Sequence, residues 1–306
     1  MKHLFLFSAA LLYFLCLPST AAPQGEEEPT SSAEFGAYWN QGEAELTSYE
    51  LEQARYGEVH PGHAVLIFVT EDFSRSKHVK LDRPGAAGSD SVKVLKLNLT
   101  KKFNTGIYPY SMMLSVFSAV GLGEDPHALK VTMTSQEWCG HTFVQMNRAG
   151  SGYEIQGYSY FESEGDESSV VPSAVTEDGL WVTLRLDPER LPTGEFELLP
   201  GTMFARLRHL PWGLQKAAAV LEEVEGEPGL RSYILTYPEL GRRLEIRFQA
   251  AFPHVIEGWE ETYSSGFGAQ ARELTTRAKR KARMMSPYWR QNGLGDAGLR
   301  KQLGLE

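Results

Sequence analysis

Short segments of β-branched and aromatic residues, separated by glycine-containing turns, recur along most of this chain of 306 residues. Val92–Leu99 (VKVLKLNL) shows the period-two alternation typical of a half-buried strand. Turn signals such as Arg148–Gly152 and Glu225–Gly229 stand between neighbouring segments. Many strands at such short spacing favour antiparallel pairing over the strand–helix alternation of a parallel sheet.

We therefore predict a mainly β protein with one large curved antiparallel sheet, a half-open barrel or β-clam, and a few covering helices. The predicted β domain spans residues 34–270 and opens with a short helix at Glu34–Gly42. Residues 271–306 are predicted to form a basic, partly helical C-terminal segment, with helical composition at Ala271–Met285. The predicted strands are Ala64–Val69, Ser76–Leu81, Val92–Leu99, Met112–Val120, Ala128–Thr134, Thr142–Met146, Tyr153–Phe161, Leu180–Leu186, Glu195–Leu199, Met203–His209, Lys216–Val224, Ser232–Tyr237 and Leu244–Phe252.

The N-terminal residues have the composition of a secretory signal. Leu4–Leu17 is apolar but shorter than a membrane-spanning helix requires, and Pro18–Ala22 supplies the small residues of a cleavage site. Residues 1–21 are thus predicted to be a signal peptide and residues 22–33 a flexible acidic linker. The expected destination is the periplasm.

Two alternatives to a cleaved signal stay open at this stage, a lipid anchor on Cys16 and an uncleaved apolar anchor. Leu15 precedes Cys16, where a lipidation site requires a small residue. Cleavage would leave Cys139 as the single thiol, so an exported chain would have no internal disulfide bond.

Charge and motifs argue against several functions. The net charge of −9 disfavours general nucleic-acid binding, which needs a basic face for phosphates. The pair His60 and His63 lacks the second ligand pair of a zinc site, and the acidic stretch Tyr158–Glu167 lacks the ligand spacing of a calcium loop. No nucleotide-binding or hydrolase motif is present. We predict neither a metal nor a cofactor.

Cys139–Gly140–His141 has two interpretations. If the segment is a continuous strand, Cys139 and His141 share a face, as a Cys–His nucleophile pair in an envelope hydrolase or transferase would require. Alternatively, Gly140 bends a stretch that is too long for one strand, as a hairpin turn or a bulge. Trp138 would then lie in the core, Cys139 would be buried and His141 would flank the turn. This structural interpretation is favoured.

Aromatic and methionine side chains cluster in the middle of the chain, and five are candidate ligand-binding residues: Tyr110, Met112, Trp138, Tyr158 and Tyr160. A curved, unclosed sheet can hold an apolar ligand on its concave face. The leading prediction is a non-enzymatic envelope protein that binds an apolar ligand or a protein partner there. A purely structural or interaction module is the further alternative.

Three strings of the sequence carry a resemblance: GIYPYSMMLSVFS, SQEWCGHTF and YSYFESEGD, within residues 106–166. They resemble a group of exported bacterial proteins that carry the name septum formation inhibitor Maf. The resemblance implies export but assigns no chemistry to these strings, and the Ser-x-x-Pro-Arg-Arg motif of Maf nucleotide pyrophosphatases is absent. The strand pattern is more weakly similar to periplasmic half-open β-barrels of the lipoprotein-carrier type, which implies an apolar ligand or a role in envelope assembly.

Overall fold

A computed structural model describes residue 1 and residues 32–121, 127–150 and 152–305. The predicted signal peptide beyond Met1, Cys16 and most of the predicted linker lie outside the described residues. Within these ranges the α-helices are α1 (Ser32–Trp39), α2 (Glu177–Leu186), α3 (Thr202–Arg208) and α4 (Gly298–Gln302). The strands are β1 (Ala44–Arg55), β2 (Glu58–Ser74), β3 (Val79–Lys80), β4 (Ser91–Thr105), β5 (Tyr108–Ala119), β6 (Lys130–Glu137), β7 (Gly140–Ala149), β8 (Gly152–Tyr158), β9 (Asp166–Pro172), β10 (Val175–Thr176), β11 (Gly194–Leu199), β12 (Gln215–Glu223), β13 (Leu230–Tyr237), β14 (Arg242–Gln249), β15 (Ile256–Ser265) and β16 (Arg272–Ser286).

The strands form one sheet in the order β10-β11-β12-β13-β14-β15-β16-β1-β2-β4-β5-β6-β7-β8-β9, with β3 paired to β2. Every pair is antiparallel except β10–β11, whose short parallel ladder is connected through α2. The sheet is curved and does not close, since β9 and β10 are its two ends and no ladder joins them in the described chain. The predicted large curved antiparallel sheet is confirmed.

Strand β16 joins the N-terminal strands of the chain to its C-terminal strands. It pairs with β1 on one side and with β15 on the other, so that Ala278 lies opposite both Leu51 and Trp259. All three side chains are buried and point to the concave face, where the main hydrophobic cluster lies. Because strand side chains alternate between faces, this register fixes the intervening residues on the convex face.

The strand predicted at Leu180–Leu186 is wrong, because these residues belong to α2. Thr176 caps this helix by accepting a hydrogen bond from the Gly179 N–H, at 3.0 Å, and acidic residues occupy the first turn. All ten residues of α2 are buried, since it lies on the concave face. A helix buried on every side lacks the solvent-exposed polar face of an amphipathic helix, and its mostly apolar sequence cannot be told from a strand by periodicity.

The strand predicted at Met203–His209 is also wrong, because α3 occupies these residues and ends at His209 in the left-handed conformation, with a φ of 55°. Helix α3 is buried through Leu207, and packs beside α2 inside the curved sheet. The concave face, predicted to be free for a ligand, is therefore filled by two helices of the chain itself.

The helix predicted at Ala271–Met285 is a third error, because this segment forms β16. Its basic side chains at Arg277, Lys279, Lys281 and Arg283 are exposed, whereas Thr276 and Ala278 are buried. That alternation is the period of a strand, and the helix-favouring composition concealed it. The final helix of the segment is confirmed by α4.

The chain after β16 packs on the convex face. Leu303 is buried against Leu46 and Val69, and Met284 and Tyr288 extend the same small cluster. The sheet therefore carries a large core inside its curve and smaller clusters elsewhere, one of them beneath the C-terminal segment. Among the described helices, none has the length and apolarity to cross a membrane.

Candidate functional site: an aromatic rim at one end of the sheet

Three hairpin turns meet at one end of the sheet, and each carries an aromatic side chain. The turns follow β1, β4 and β6, and the antiparallel register brings them together by pairing Gly62 with Phe103 and Ser111 with Gln136. Tyr56, Tyr108 and Trp138 lie at these turns. The chain separates them by up to 82 positions, so the sheet register alone makes them neighbours.

We call the aromatic cluster Tyr56, Tyr108, Trp138, Tyr160 and Phe267 the aromatic rim. Tyr108 is half-buried, and the other four side chains are exposed. Ring centroids lie 6.3 Å apart for Tyr56 and Phe267 and 6.4 Å apart for Tyr108 and Trp138. Trp138 is 67% exposed and Phe267 58%. Aromatic rings in contact but not covered by the chain's own residues present a large apolar area with few rotatable bonds.

Tyr110 supports the rim from inside. Its hydroxyl lies 2.8 Å from the hydroxyl of Tyr56, and its ring is stacked on Phe103 with a centroid distance of 4.9 Å. The buried guanidinium of Arg55 lies 4.2 Å from the ring centre of Tyr56 and donates to the hydroxyls of Tyr56 and Tyr110. These contacts fix the orientation of the Tyr56 ring.

Gly140 explains how Tyr160 joins the rim. A Cβ atom at Gly140 would lie 2.2 Å from Cδ1 of Tyr160, so only glycine lets the ring pack against the β6–β7 turn. The hydroxyl of Tyr160 donates to Glu137 at 2.9 Å. The predicted bend at Gly140 is confirmed as a hairpin, with Trp138 and Cys139 in its turn.

The five ligand-binding candidates are divided among three environments. Trp138 and Tyr160 belong to the rim, and Tyr110 lies buried directly behind it. Met112 is in the main core. Tyr158 is on the convex face, stacked on Phe143 at a centroid distance of 6.4 Å. Sequence reasoning missed Tyr56 and Phe267, because nothing local to either residue indicates that their turns meet.

In the described part of the chain, no hydrogen bond joins Cys139 and His141. His141 is opposite Gln136 on the convex face, and its Nε2 contacts the hydroxyl of Thr134. The Cys139 backbone N–H donates to Glu137 at 2.6 Å. A separate hydrogen bond of the thiol itself to the Glu137 carboxylate raises the pKa of Cys139. Burial and the negative charge of Glu137 contribute less in the same direction. The favoured interpretation was wrong in detail, because Trp138 and Cys139 are exposed rather than buried.

Helix α3 closes the interior just below the rim. Arg55 donates to the carbonyl of Leu207, and Arg206 donates from Nε to the hydroxyl of Thr142 at 2.9 Å. His209, at the end of the helix, contacts the carboxylate of Glu164 in the β8–β9 loop. Beside α3 and this loop lies a hollow of about 40 Å³.

A network of buried charges lies under α3. Arg242 donates from Nε to Glu261 at 2.8 Å and from Nη2 to Glu177 at 2.7 Å, and Tyr237 donates to Glu177 at 2.6 Å. The buried side chain of Lys101 lines a small hollow of about 30 Å³ together with Glu177, Arg242 and Glu261. Such a cavity holds about one or two water molecules, which leaves no room for a substrate.

Asp178 is the least stabilised member of this network. Its Oδ2 accepts a hydrogen bond from the Thr202 N–H at 3.0 Å. Burial, followed by the charge of Glu177, raises the pKa of Asp178 to about 7 from an ordinary 3.8. The folded protein therefore retains a proton between pH 4 and 7 that the unfolded chain has released, and stability from this group falls as the pH rises through that window.

The variant Asp178→Asn is expected to be more stable than the parent at pH 8, by about 2 kcal/mol, because it removes a buried charge beside Glu177. At pH 5 the gain should nearly vanish, since Asp178 is then already neutral. Urea unfolding at both pH values measures the difference. Glu197→Gln, at an exposed position, is the control, and an equal gain for Asp178→Asn at both pH values would contradict the assignment.

Neither a metal centre nor a known relative defines the site. The described residues contain no group of three or more histidine, cysteine, aspartate or glutamate side chains placed to hold a metal ion. No known protein family matches the chain, no curated protein is similar to it, and no solved structure matches its fold. The aromatic rim is therefore characterised by its own geometry.

Proposed function

We propose that the protein is an exported, non-enzymatic binding protein of the periplasm that engages a folded protein partner through the aromatic rim. The observation that supports this most directly is the continuity of the rim, in which Trp138 and Phe267 are more than half exposed. Exposed apolar patches of this kind are uncommon on proteins without partners, and tyrosine and tryptophan are enriched where interfaces bind most strongly.

A protein partner fits the rim better than a small apolar ligand. Enclosing a drug-sized ligand takes about 300 Å³ or more, whereas the hollow beside α3 and the β8–β9 loop is about 40 Å³. The concave face is occupied by α2 and α3. An exposed apolar surface that encloses no cavity is suited to contact with the surface of another protein. We therefore infer a partner with a flat apolar patch surrounded by polar groups.

Photo-crosslinking in the cells that make the protein tests this proposal. A benzophenone amino acid placed at Trp138, and separately at Phe267, should give the same protein adduct, identified by mass spectrometry. Val220, on β12, is 49% exposed and is the control position, where the adduct should be absent. Different adducts at the two rim positions, or one adduct at all three, would refute a specific rim partner.

Export is the second component of the proposal and is supported by the composition of residues 1–21. Mass spectrometry of the protein isolated from its cells should show an N-terminus at Ala22 or Pro23. An intact Met1 would contradict cleavage and favour the uncleaved anchor, and a lipid-modified Cys16 would favour the lipid anchor. Neither result bears on the rim proposal.

The enzyme alternative makes a separate prediction for Cys139. Because the Glu137 carboxylate raises the pKa of this exposed thiol, folded Cys139 should react with iodoacetamide at pH 7 more slowly than the same thiol in urea. Glu137→Gln should accelerate the reaction by about threefold or more. Faster alkylation in the folded protein than in urea would restore Cys139 as a candidate nucleophile.

A further inference from the structure

A groove of about 300 Å³ lies on the convex face, on the side of the sheet opposite α2 and α3. Strands β1, β2, β4 and β16 form its floor, and the chain after β16 forms its wall. We call it the convex groove. Its apolar lining includes Val65, Ile67, Met284, Leu299 and Leu303. This volume is at the lower end of the range for small-molecule sites.

Two cationic side chains and a histidine gather at one end of the convex groove. His63 and Lys102 are directly opposite each other in the β2–β4 register, and Arg300 of α4 lines the same space. Burial, followed by the charges of Lys102, Arg300 and Lys281, lowers the pKa of His63, which places all three cations near the imidazole. Lys102 is exposed and makes neither a hydrogen bond nor an ion pair with any described residue.

Arg300 and Lys281 also hold the wall of the groove in place. Arg300 donates to the carbonyl of Leu305 at 2.9 Å, and Lys281 donates to the carbonyl of Gly304 at 3.0 Å. Both bonds use neutral acceptors, so neither positive charge is neutralised by them. The C-terminal segment is thus fixed over the groove by groups that keep their charge.

Two carboxylates are close to this cationic end. Asp296 lines the groove, and its Oδ2 accepts a hydrogen bond from the Gly293 N–H at 3.0 Å. Glu50 is opposite His63 in the β1–β2 register. Lys102, Arg300 and Lys281 outnumber these two acids. In a chain with a net charge of −9, a groove with an excess of positive charge favours an anion.

We propose that the convex groove binds a single-chain fatty acid, with the carboxylate at Lys102 and His63 and the hydrocarbon tail along Val65 and Ile67. The groove has the volume of about ten water molecules, and a methylene group takes up a similar space, so one chain of about ten carbons fills it. Two acyl chains, as in a phospholipid, do not fit. This site is independent of the aromatic rim and of the partner proposed there.

Isothermal titration of the purified protein with decanoate tests the proposal. We expect saturable one-to-one binding that strengthens from hexanoate to decanoate and gains little from decanoate to hexadecanoate, because the groove is then full. Decylamine, with the same tail and the opposite charge, should bind about tenfold more weakly or worse. Affinity that keeps rising beyond decanoate, or equal binding of decylamine and decanoate, would overturn it.

Charge reversal locates the headgroup. Lys102→Glu should weaken decanoate binding by about fivefold or more, since Lys102 is exposed and its replacement disturbs no contact of the fold. Lys279→Glu, on the same convex face but outside the groove, is the matched control and should leave the affinity within about twofold. Equal weakening by both variants, or none by Lys102→Glu, would refute the assigned headgroup position.

Discussion

Replacing Arg242 by methionine is expected to lower the free energy of unfolding at neutral pH by about 3–5 kcal/mol. Arg242 is 3% exposed and holds the carboxylates of Glu177 and Glu261 at hydrogen-bonding distance. Methionine keeps most of the side-chain volume but leaves both buried acids without their counter-charge. The loss is large because a buried charge without its partner retains the whole cost of leaving water.

The pH dependence separates this electrostatic effect from a packing defect. Burial raises the pKa of Glu177, but the charge and hydrogen bonds of Arg242 lower it by more than burial raises it. The pKa of Glu177 is therefore below the ordinary 4.5. Stability from this carboxylate is therefore present above pH 4.5 and is lost as the pH falls through its folded pKa. In Arg242→Met the pKa of Glu177 should rise, and the deficit should shrink between pH 8 and pH 5.

The neighbouring residue supplies the control for Arg242→Met. Arg243 is paired with Glu245 at 2.8 Å, but its side chain is 42% exposed. Because exposed ion pairs contribute little, Arg243→Met should cost no more than about 1 kcal/mol. Urea unfolding of both variants measures the contrast. Equal losses would show that the buried network contributes no more than a surface pair.

Arg185→Met is the second substitution with a large expected effect, a loss of about 3–5 kcal/mol at neutral pH. Arg185 and Glu45 are each 1% exposed, and both guanidinium Nη atoms contact the Glu45 carboxylate, at 2.7 and 2.8 Å. The cation also lies 5.0 Å from the ring centre of Trp39, at the end of α1. The pair therefore joins α2, β1 and α1 across the main core.

A double-mutant cycle isolates the contribution of this pair. Glu45→Gln in the Arg185→Met background should recover part of the lost stability, since no buried carboxylate then lacks a partner. Arg277→Met is the control, because its ion pair with Glu260 is 53% exposed at the arginine and 3.6 Å long. A double variant as unstable as the sum of the two single variants would refute a direct interaction between Arg185 and Glu45.

Local sequence patterns predicted the strands better than the helices. Strands such as β4 display the alternation of a half-buried surface within a few residues, so Val92–Leu99 is recognisable in isolation. Helices α2 and α3 have no solvent-exposed face, because they lie inside the sheet, so their sequences lack the periodicity of an amphipathic helix. The basic β16 gave the opposite error, because lysine, arginine and alanine favour helices in general.

The candidate site was predicted in part. Trp138 and Tyr160, two of the five predicted ligand-binding residues, lie on the rim, and Gly140 forms the bend that its position in a long strand-like segment indicated. Helices α2 and α3, which lie on the concave face, were not recognised, and binding on that face stays a prediction. Tyr56 and Phe267 were missed because their turns come together only in the folded sheet.

The sequence by itself determined that this chain forms an antiparallel sheet, because side-chain alternation and turn chemistry act between residues close in the chain. Tertiary structure decided which side of the sheet remained available. The pairing of β1 with β16 connects residues more than two hundred positions apart, and it places α2 and α3 inside the curve. The aromatic groups were thereby left exposed at the rim and the cationic groups on the convex face. Burial depends on which other elements pack against a residue, and no local sequence pattern specifies those elements.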